Sequence, residues 1–301
     1  MQRLTGLIAA PVTPFHDDGS IAPEVVPAYA ERLVQDGVAG VFVNGTTGES
    51  LSLAKDERLA MAEAWVAAAS GTPLRVVVHA GCESLADARE LAAHAQRIGA
   101  AAVGAMPPVF FRAAGPDALA DAMAEVAGGC PDLPFYYYHM PSMTVQEAPM
   151  RLFLPKLRER AANTAGAKFT FENVMDYALA LDAGFDVLFG RDEMLLSALV
   201  MGARGAVGST YNVMAPLYNR LVAAFDAGDL DAARSLQLES MRAIDRMAGA
   251  RGVPMILLLK QLLTRRGVPC GPVRRPMPLP SPDAVAAAVA SLPPLLLSPE
   301  P

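Results

Sequence analysis

The chain has little cysteine, no long apolar run and no basic excess. Three cysteines in 301 residues, Cys82, Cys130 and Cys270, are too scattered and too odd in number for a disulfide framework or a cysteine-based zinc site. Such sparing use suits a reducing, cytoplasmic setting. The four histidines, His16, His79, His94 and His139, show no metal-ligand spacing. No stretch reaches the ~20 apolar residues of a membrane span, and ILLLKQLL is interrupted by Lys260. The N-terminal MQRLTGLIAAPVTPF meets Pro11 and Pro14 too early for a signal peptide and reads better as a strand. With 25 basic against 31 acidic residues the net charge is −6, which argues against nucleic-acid or anionic-membrane partners. The RRPMP segment is too short to change that.

What is present is a large apolar fraction, 52%, enough for a substantial core. It is organised as short apolar runs alternating with longer helical patterns. The runs are LIAAPV, GVFVN, RVVVHA, AAVGAM, PFYYYHM, AGAKFT, DVLFG and GAVGST. Between them lie segments such as AKDERLAMAEAWVAAA and SLADARELAAHAQRI, with Ser84 and Asp192 as helix-capping signals. Continuous apolar strands separated by helices imply a parallel sheet. Eight such units predict an α/β fold, a (β/α)8 TIM barrel over residues 1–225. Helical patterns at 230–249, 253–266 and 281–291 predict a C-terminal helical extension, 226–301, packed on the barrel. The competing architecture is a doubly wound open sheet, but no GxGxxG fingerprint follows the first strand.

In a barrel, chemistry gathers at the C-terminal ends of the strands. Here those ends carry NGTTGES, Tyr136–Tyr137–Tyr138–His139, Lys168 with Thr170, Gly190–Arg191–Asp192–Glu193, and Gly208–Ser209–Thr210. Lys168 stands out because AGAKFT surrounds a cation with small and apolar residues. Burial disfavours an ammonium, and a neutral amine attacks ketones to form a Schiff base. The bland reading is a lysine that snorkels to the rim or pairs with a carboxylate. The glycines, hydroxyls and backbone N–H groups of NGTTGES suit an anion, or else make only a glycine-rich turn. Tyr138 shares a strand face with Tyr136 and is either a proton donor and acceptor beside Lys168 or core packing. His139 should point away from Tyr138. Asp192 and Glu193 either accept hydrogen bonds from a polyol or cap the following helix. Cys82 reads as a bystander near the mouth.

Taken in order, PVTPF, GTTGES, YYYHMPSMT, GAKFT, LFGRDE, SALVMGARGAVGSTYN and GVPCGPVRRP resemble the pyruvate-dependent class I aldolase superfamily. That superfamily holds the dihydrodipicolinate synthases and N-acetylneuraminate lyases, and the motifs read most like the animal-type lyases. The resemblance implies Lys168 as Schiff-base lysine and Tyr138, three before Pro141, as the acid/base of a Y-x-x-P motif. It implies that Thr46 and Thr47 hold the pyruvate carboxylate. It implies that Thr170, Gly190, Asp192, Glu193, Gly208 and Ser209 line the sugar end. It further implies a homotetramer, no metal or organic cofactor, and pyruvate plus an amino-sugar or sugar aldehyde as substrates. The synthases place an arginine after the Y-x-x-P proline, where Ser142, Met143 and Thr144 stand here. A relay tyrosine common after strand 4 is replaced by Phe110 and Phe111. Rival readings are the same chemistry on another 2-keto-3-deoxy sugar acid, a synthase-like condensation, a non-catalytic keto-acid or sugar-binding regulator, and a phosphosugar isomerase.

Overall fold

The computed structural model describes residues 3–146 and 148–297, so the final residues of the expected extension, 298–301, lie outside the described residues. Eight strands form the sheet: β1 Gly6–Ala9, β2 Gly40–Val43, β3 Arg75–His79, β4 Ala102–Ala105, β5 Phe135–His139, β6 Thr164–Phe169, β7 Asp186–Phe189 and β8 Gly205–Gly208. All pair in parallel in chain order, and β8 pairs back to β1, which closes the barrel. The helices between them are α1 Val26–Gln35, α2 Lys55–Ala69, α3 Leu85–Arg97, α4 Pro116–Ala127, α5 Pro141–Thr144, α6 Met150–Arg160, α7 Val174–Asp182, α8 Leu195–Val200 and α9 Tyr211–Asp226. The C-terminal helices are α10 Leu230–Ala248, α11 Met255–Arg265, α12 Pro282–Ala290 and α13 Pro294–Leu297. Among the described residues, no helix is long and apolar enough to cross a membrane.

The alternation of strand side chains splits the core in two. Ile8, Phe42, Val77, Tyr136, Tyr138, Leu188 and Val207 fill the barrel interior. Their neighbours Val41, Val43, Val76, Val78, Tyr137 and Phe169 face outward and pack against the helices. Ser84 caps α3 as expected, its hydroxyl accepting from the Asp87 N–H at 3.2 Å. Asp192 does not cap a helix. It begins a 3-10 turn, Asp192–Met194, and α8 starts only at Leu195 with no side-chain cap. The carboxylate has instead been drawn to the end of β8, where two donors meet it.

One irregularity sets the geometry of the interior. β5 and β6 pair Phe135 with Thr164 but then Tyr136 with Gly166, so Ala165 is an extra residue in β6. From there Tyr138 pairs with Lys168. Gly166 permits the bulge, because a Cβ there would run into the backbone of Asp186 on β7. Gly166→Ala should therefore destabilise the fold by at least about 1–3 kcal/mol, the usual cost of overpacking. Thermal melting against the parent chain checks this, and an unchanged melting temperature would show that the bulge does not depend on the glycine.

Candidate active site

The mouth of the barrel encloses a cavity of about 310 Å³ at the C-terminal ends of the strands. Of the ten residues expected from the sequence, nine line it: Thr46, Thr47, Tyr138, Lys168, Thr170, Gly190, Asp192, Glu193 and Ser209. Gly208 does not. It stands behind Asp192, and its missing side chain leaves the space the carboxylate occupies. Gly190 makes the same allowance for the Thr170 hydroxyl, which has no hydrogen-bond partner among the described residues. A hollow of about 350 Å³ lined by Arg3, Tyr136, Arg158 and Asp186 lacks any comparable set. One Asp186 oxygen there already accepts from the Leu4 N–H and the Tyr136 hydroxyl.

Lys168 reaches inward between two rings, its Nζ 3.9 Å from the centroid of Tyr138 and 4.4 Å from that of Phe42. The chain has four lysines, and their surroundings separate them. Lys55 pairs with Asp87 and Glu90, Lys156 with Asp117, and Lys260 with Glu49. Lys168 alone, among the described residues, has no carboxylate within ion-pair distance. Its head group is buried between the two ring faces and opens onto the cavity.

The hydroxyls around it form two linked pairs. Thr46 Oγ1 lies 3.3 Å from the Tyr138 hydroxyl, and Thr47 Oγ1 lies 2.7 Å from Ser209 Oγ. The backbone N–H groups of Thr46 and Thr47 make no hydrogen bond to other described residues, so the turn offers unused donors as well as hydroxyls. Beneath it, His79 is neutral. Burial holds its pKa well below the usual imidazole range, helped by the Arg58 and Lys168 charges. Its Nδ1 faces the Asn44 carbonyl at 2.8 Å, while Nε2 accepts from the Met106 N–H at 3.2 Å. His139 faces away from the cavity among Tyr137, Phe169 and Phe171, and burial pushes its pKa down to about 4.

On the opposite wall Asp192 accepts from the Thr210 N–H at 2.8 Å and the Thr210 hydroxyl at 2.6 Å, both through one carboxylate oxygen. Burial pushes its pKa up to about 6; the Thr210 hydrogen bonds and the Lys168 charge pull the other way, and Glu193 adds to the rise. Arg191 also lines the cavity, with its guanidinium held by Glu172 and Glu193. Arg191 and Thr210 were not among the residues expected from the sequence, although both lie within the motifs that pointed to the site. Ile244 of α10 and Met255 of α11, which bring the C-terminal helices to the cavity wall, carry no sequence signal at all. Cys82 stays outside the cavity and donates to the Ser84 carbonyl at 3.2 Å. Among the described residues, no cluster of His, Cys, Asp or Glu could hold a metal ion.

Residues 3–291 match the Dihydrodipicolinate synthetase family. The chain belongs to that family. It is 40% identical over 297 residues to an N-acetylneuraminate lyase of Mus musculus, covering 97% of this chain and 92% of the mouse protein. Its fold is similar to the solved N-acetylneuraminate lyase of Proteus mirabilis, with a TM-score of 0.91, 34% identity, and 96% and 98% of the two chains covered. It is also similar to a sialic acid aldolase of Ruminococcus gnavus solved as a catalytic lysine mutant, with a TM-score of 0.88, 30% identity, and 95% of each chain covered.

The raised Asp192 pKa carries a sign that can be tested. A group with a folded pKa of about 6 and an unfolded value near 3.8 binds its proton more tightly in the folded state. Its contribution to stability is therefore fully present below about pH 4, declines as pH rises towards about 6, and is lost above that. A rise of that size is worth about 3 kcal/mol. Asp192→Asn should flatten this part of the stability–pH curve in urea unfolding. A variant curve parallel to the parent's would contradict the assignment.

Proposed function

We propose that the protein is a class I, pyruvate-dependent aldolase that reversibly cleaves N-acetylneuraminate to N-acetylmannosamine and pyruvate. The observation that carries this is the isolation of Lys168: of four lysines it alone lacks a carboxylate and lies inside the barrel beside a tyrosine hydroxyl network. The names of the mouse, Proteus and Ruminococcus relatives support the substrate, and the last of them has a catalytic lysine.

The geometry supports the following sequence. Thr46 and Thr47, with their unused N–H donors, take the carboxylate of the open-chain keto acid. The Lys168 amine adds to the ketone carbon, and Tyr138 gives its hydroxyl proton to the departing oxygen, so that water leaves, a protonated imine remains and Tyr138 is left as the phenolate. Tyr138 accepts the proton of the hydroxyl on carbon 4, with Thr46 hydrogen-bonded to its oxygen. The bond between carbons 3 and 4 then breaks. Its electron pair passes into the imine to give the enamine, and N-acetylmannosamine leaves. Tyr138 returns that proton to carbon 3 of the enamine, and water then hydrolyses the imine, its surplus proton going back to the Tyr138 oxygen, to release pyruvate and free Lys168.

Thr170, Gly190, Asp192, Glu193 and Ser209 form the sugar end in this reading, with Gly208 acting from behind Asp192. A synthase-like condensation is disfavoured because its second substrate carboxylate would need a free cation. Arg191 is already held by two glutamates, and Ser142 to Thr144 supply none. No step calls for a metal or an organic cofactor. We also place the chain in the cytoplasm as a homotetramer. Three unpaired cysteines support the first; for the second, Phe110 and Phe111, 77% and 83% exposed after β4, offer an apolar surface for another copy to cover, and four as the number of copies is what the resemblance implies.

Borohydride reduction in the presence of pyruvate should add one reduced pyruvyl unit, located on Lys168 by peptide mass. Lys168→Ala should abolish both adduct and cleavage. An adduct on Lys260, Lys55 or Lys156 would overturn the assignment.

Tyr138→Phe should lower the cleavage rate about 10²- to 10⁴-fold, the usual contribution of a general acid–base group, while pyruvate trapping persists. Tyr137→Phe is the control: its hydroxyl is buried on the outer face without a partner, so its loss should leave kcat nearly unchanged. If Tyr137→Phe proves the crippled variant, the proton transfer belongs to another group.

A further inference from the structure

We propose that the buried ion pair between Glu49 and Lys260 is a positioning device, by which the C-terminal helices hold the threonine turn in the shape that receives the keto-acid carboxylate. This rests on the reading of Thr46 and Thr47 given above. The turn has a left-handed residue at each end, Asn44 with φ +59° and Glu49 with φ +58°; asparagine adopts that region readily, glutamate rarely, so the strain falls on Glu49. The Glu49 N–H closes the turn by donating to the Thr46 carbonyl at 3.0 Å. The Glu49 side chain then leaves the barrel loop altogether. Its Oε1 lies 2.7 Å from Lys260 Nζ on α11, and its Oε2 accepts from the Arg274 N–H at 2.8 Å. Lys260 is 0% exposed, donates to the Pro272 carbonyl at 2.5 Å, and lies 4.1 Å from the Phe15 ring.

A buried ion pair is a poor way to stabilise a fold, since apolar residues of similar volume commonly do as well. Lys260 interrupts a row of buried leucines, Leu257 to Leu259 and Leu262 to Leu263, where another leucine would pack. What a leucine cannot do is fix the direction of the Glu49 carboxylate, and through it the turn. That turn contacts the rest of the site at both hydroxyls, Thr46 to Tyr138 and Thr47 to Ser209. Glu49 and Lys260 are thus positioning residues, acting through Thr46 and Thr47 and touching no substrate.

Single neutral substitutions strand one buried charge, so the informative variant is the double one, Glu49→Gln with Lys260→Met, in the full chain. The readouts are KM for pyruvate and for N-acetylmannosamine in the condensation direction, kcat, and amide hydrogen exchange at residues 45–50. Pyruvate KM should rise about tenfold or more, by a larger factor than any change in kcat or in the aldehyde KM, as expected when the grip on one substrate is what is chiefly misplaced. Exchange at 45–50 should quicken. An unchanged pyruvate KM, or a loss spread evenly over both substrates and kcat, would reduce the pair to a structural strut and overturn the proposal. Glu49→Asp keeps the charge but withdraws it, and the same split is required of it if the double variant does not fold. Should the parent chain trap no pyruvate, the reaction assignment fails, and the clamp is then judged on exchange alone. Parent-like exchange at 45–50 would overturn it.

Discussion

A one-residue slip between two strands decides which side chain faces Tyr138. Had β6 continued in the register that pairs Phe135 with Thr164, Tyr138 would lie beside Ala167, and the lysine would fall one place further on. Ala165 takes up the slack, and Gly166 tolerates it because it presents no Cβ to the neighbouring strand. In a closed barrel a slip of this kind moves every later residue of the strand relative to its neighbour, since side chains alternate strictly between interior and helix-facing sides. The position of the amine thus depends on a backbone irregularity at the other end of β6.

The interior distributes its charges unevenly. Asp186 is held by the Tyr136 hydroxyl and the Leu4 N–H, Glu49 by Lys260 and the Arg274 N–H, and Asp192 by Thr210. Each of these buried carboxylates has been given donors, as desolvation demands. The amine of Lys168 has been given only ring faces. The carboxylates are thus met by hydrogen-bond donors or a cation, whereas the lysine that opens onto the cavity is met by neither a carboxylate nor a carbonyl among the described residues.

Much of this was legible in the sequence because it is local. Apolar runs of four to six residues mark the strands, and a lysine among alanines and glycine marks β6 as unusual. The two-residue period puts Tyr138 on one face and Tyr137 and His139 on the other, and the structure turns the Tyr138 face inward. What was hidden depends on partners far apart in the chain. Asp192 reads as a helix cap because the residues after it look helical, yet its donors are on Thr210, 18 residues on and across a strand. The cavity walls supplied by Ile244 and Met255 look like ordinary helix packing in sequence. Lys260 looks like a break in an apolar run, and nothing local shows that Glu49 waits for it.

The reach of Glu49 also bears on how the protein is made. Its carboxylate accepts from a backbone N–H 225 residues later in the chain. During synthesis the N-terminal strands emerge first. The loop that carries Thr46 and Thr47 is therefore translated long before the helix that anchors it exists. All eight strands can leave the ribosome and meet while that loop is still untethered. If Glu49 positions the turn as proposed, the turn gains its tether only once α11 and Arg274 have been made, after all eight strands.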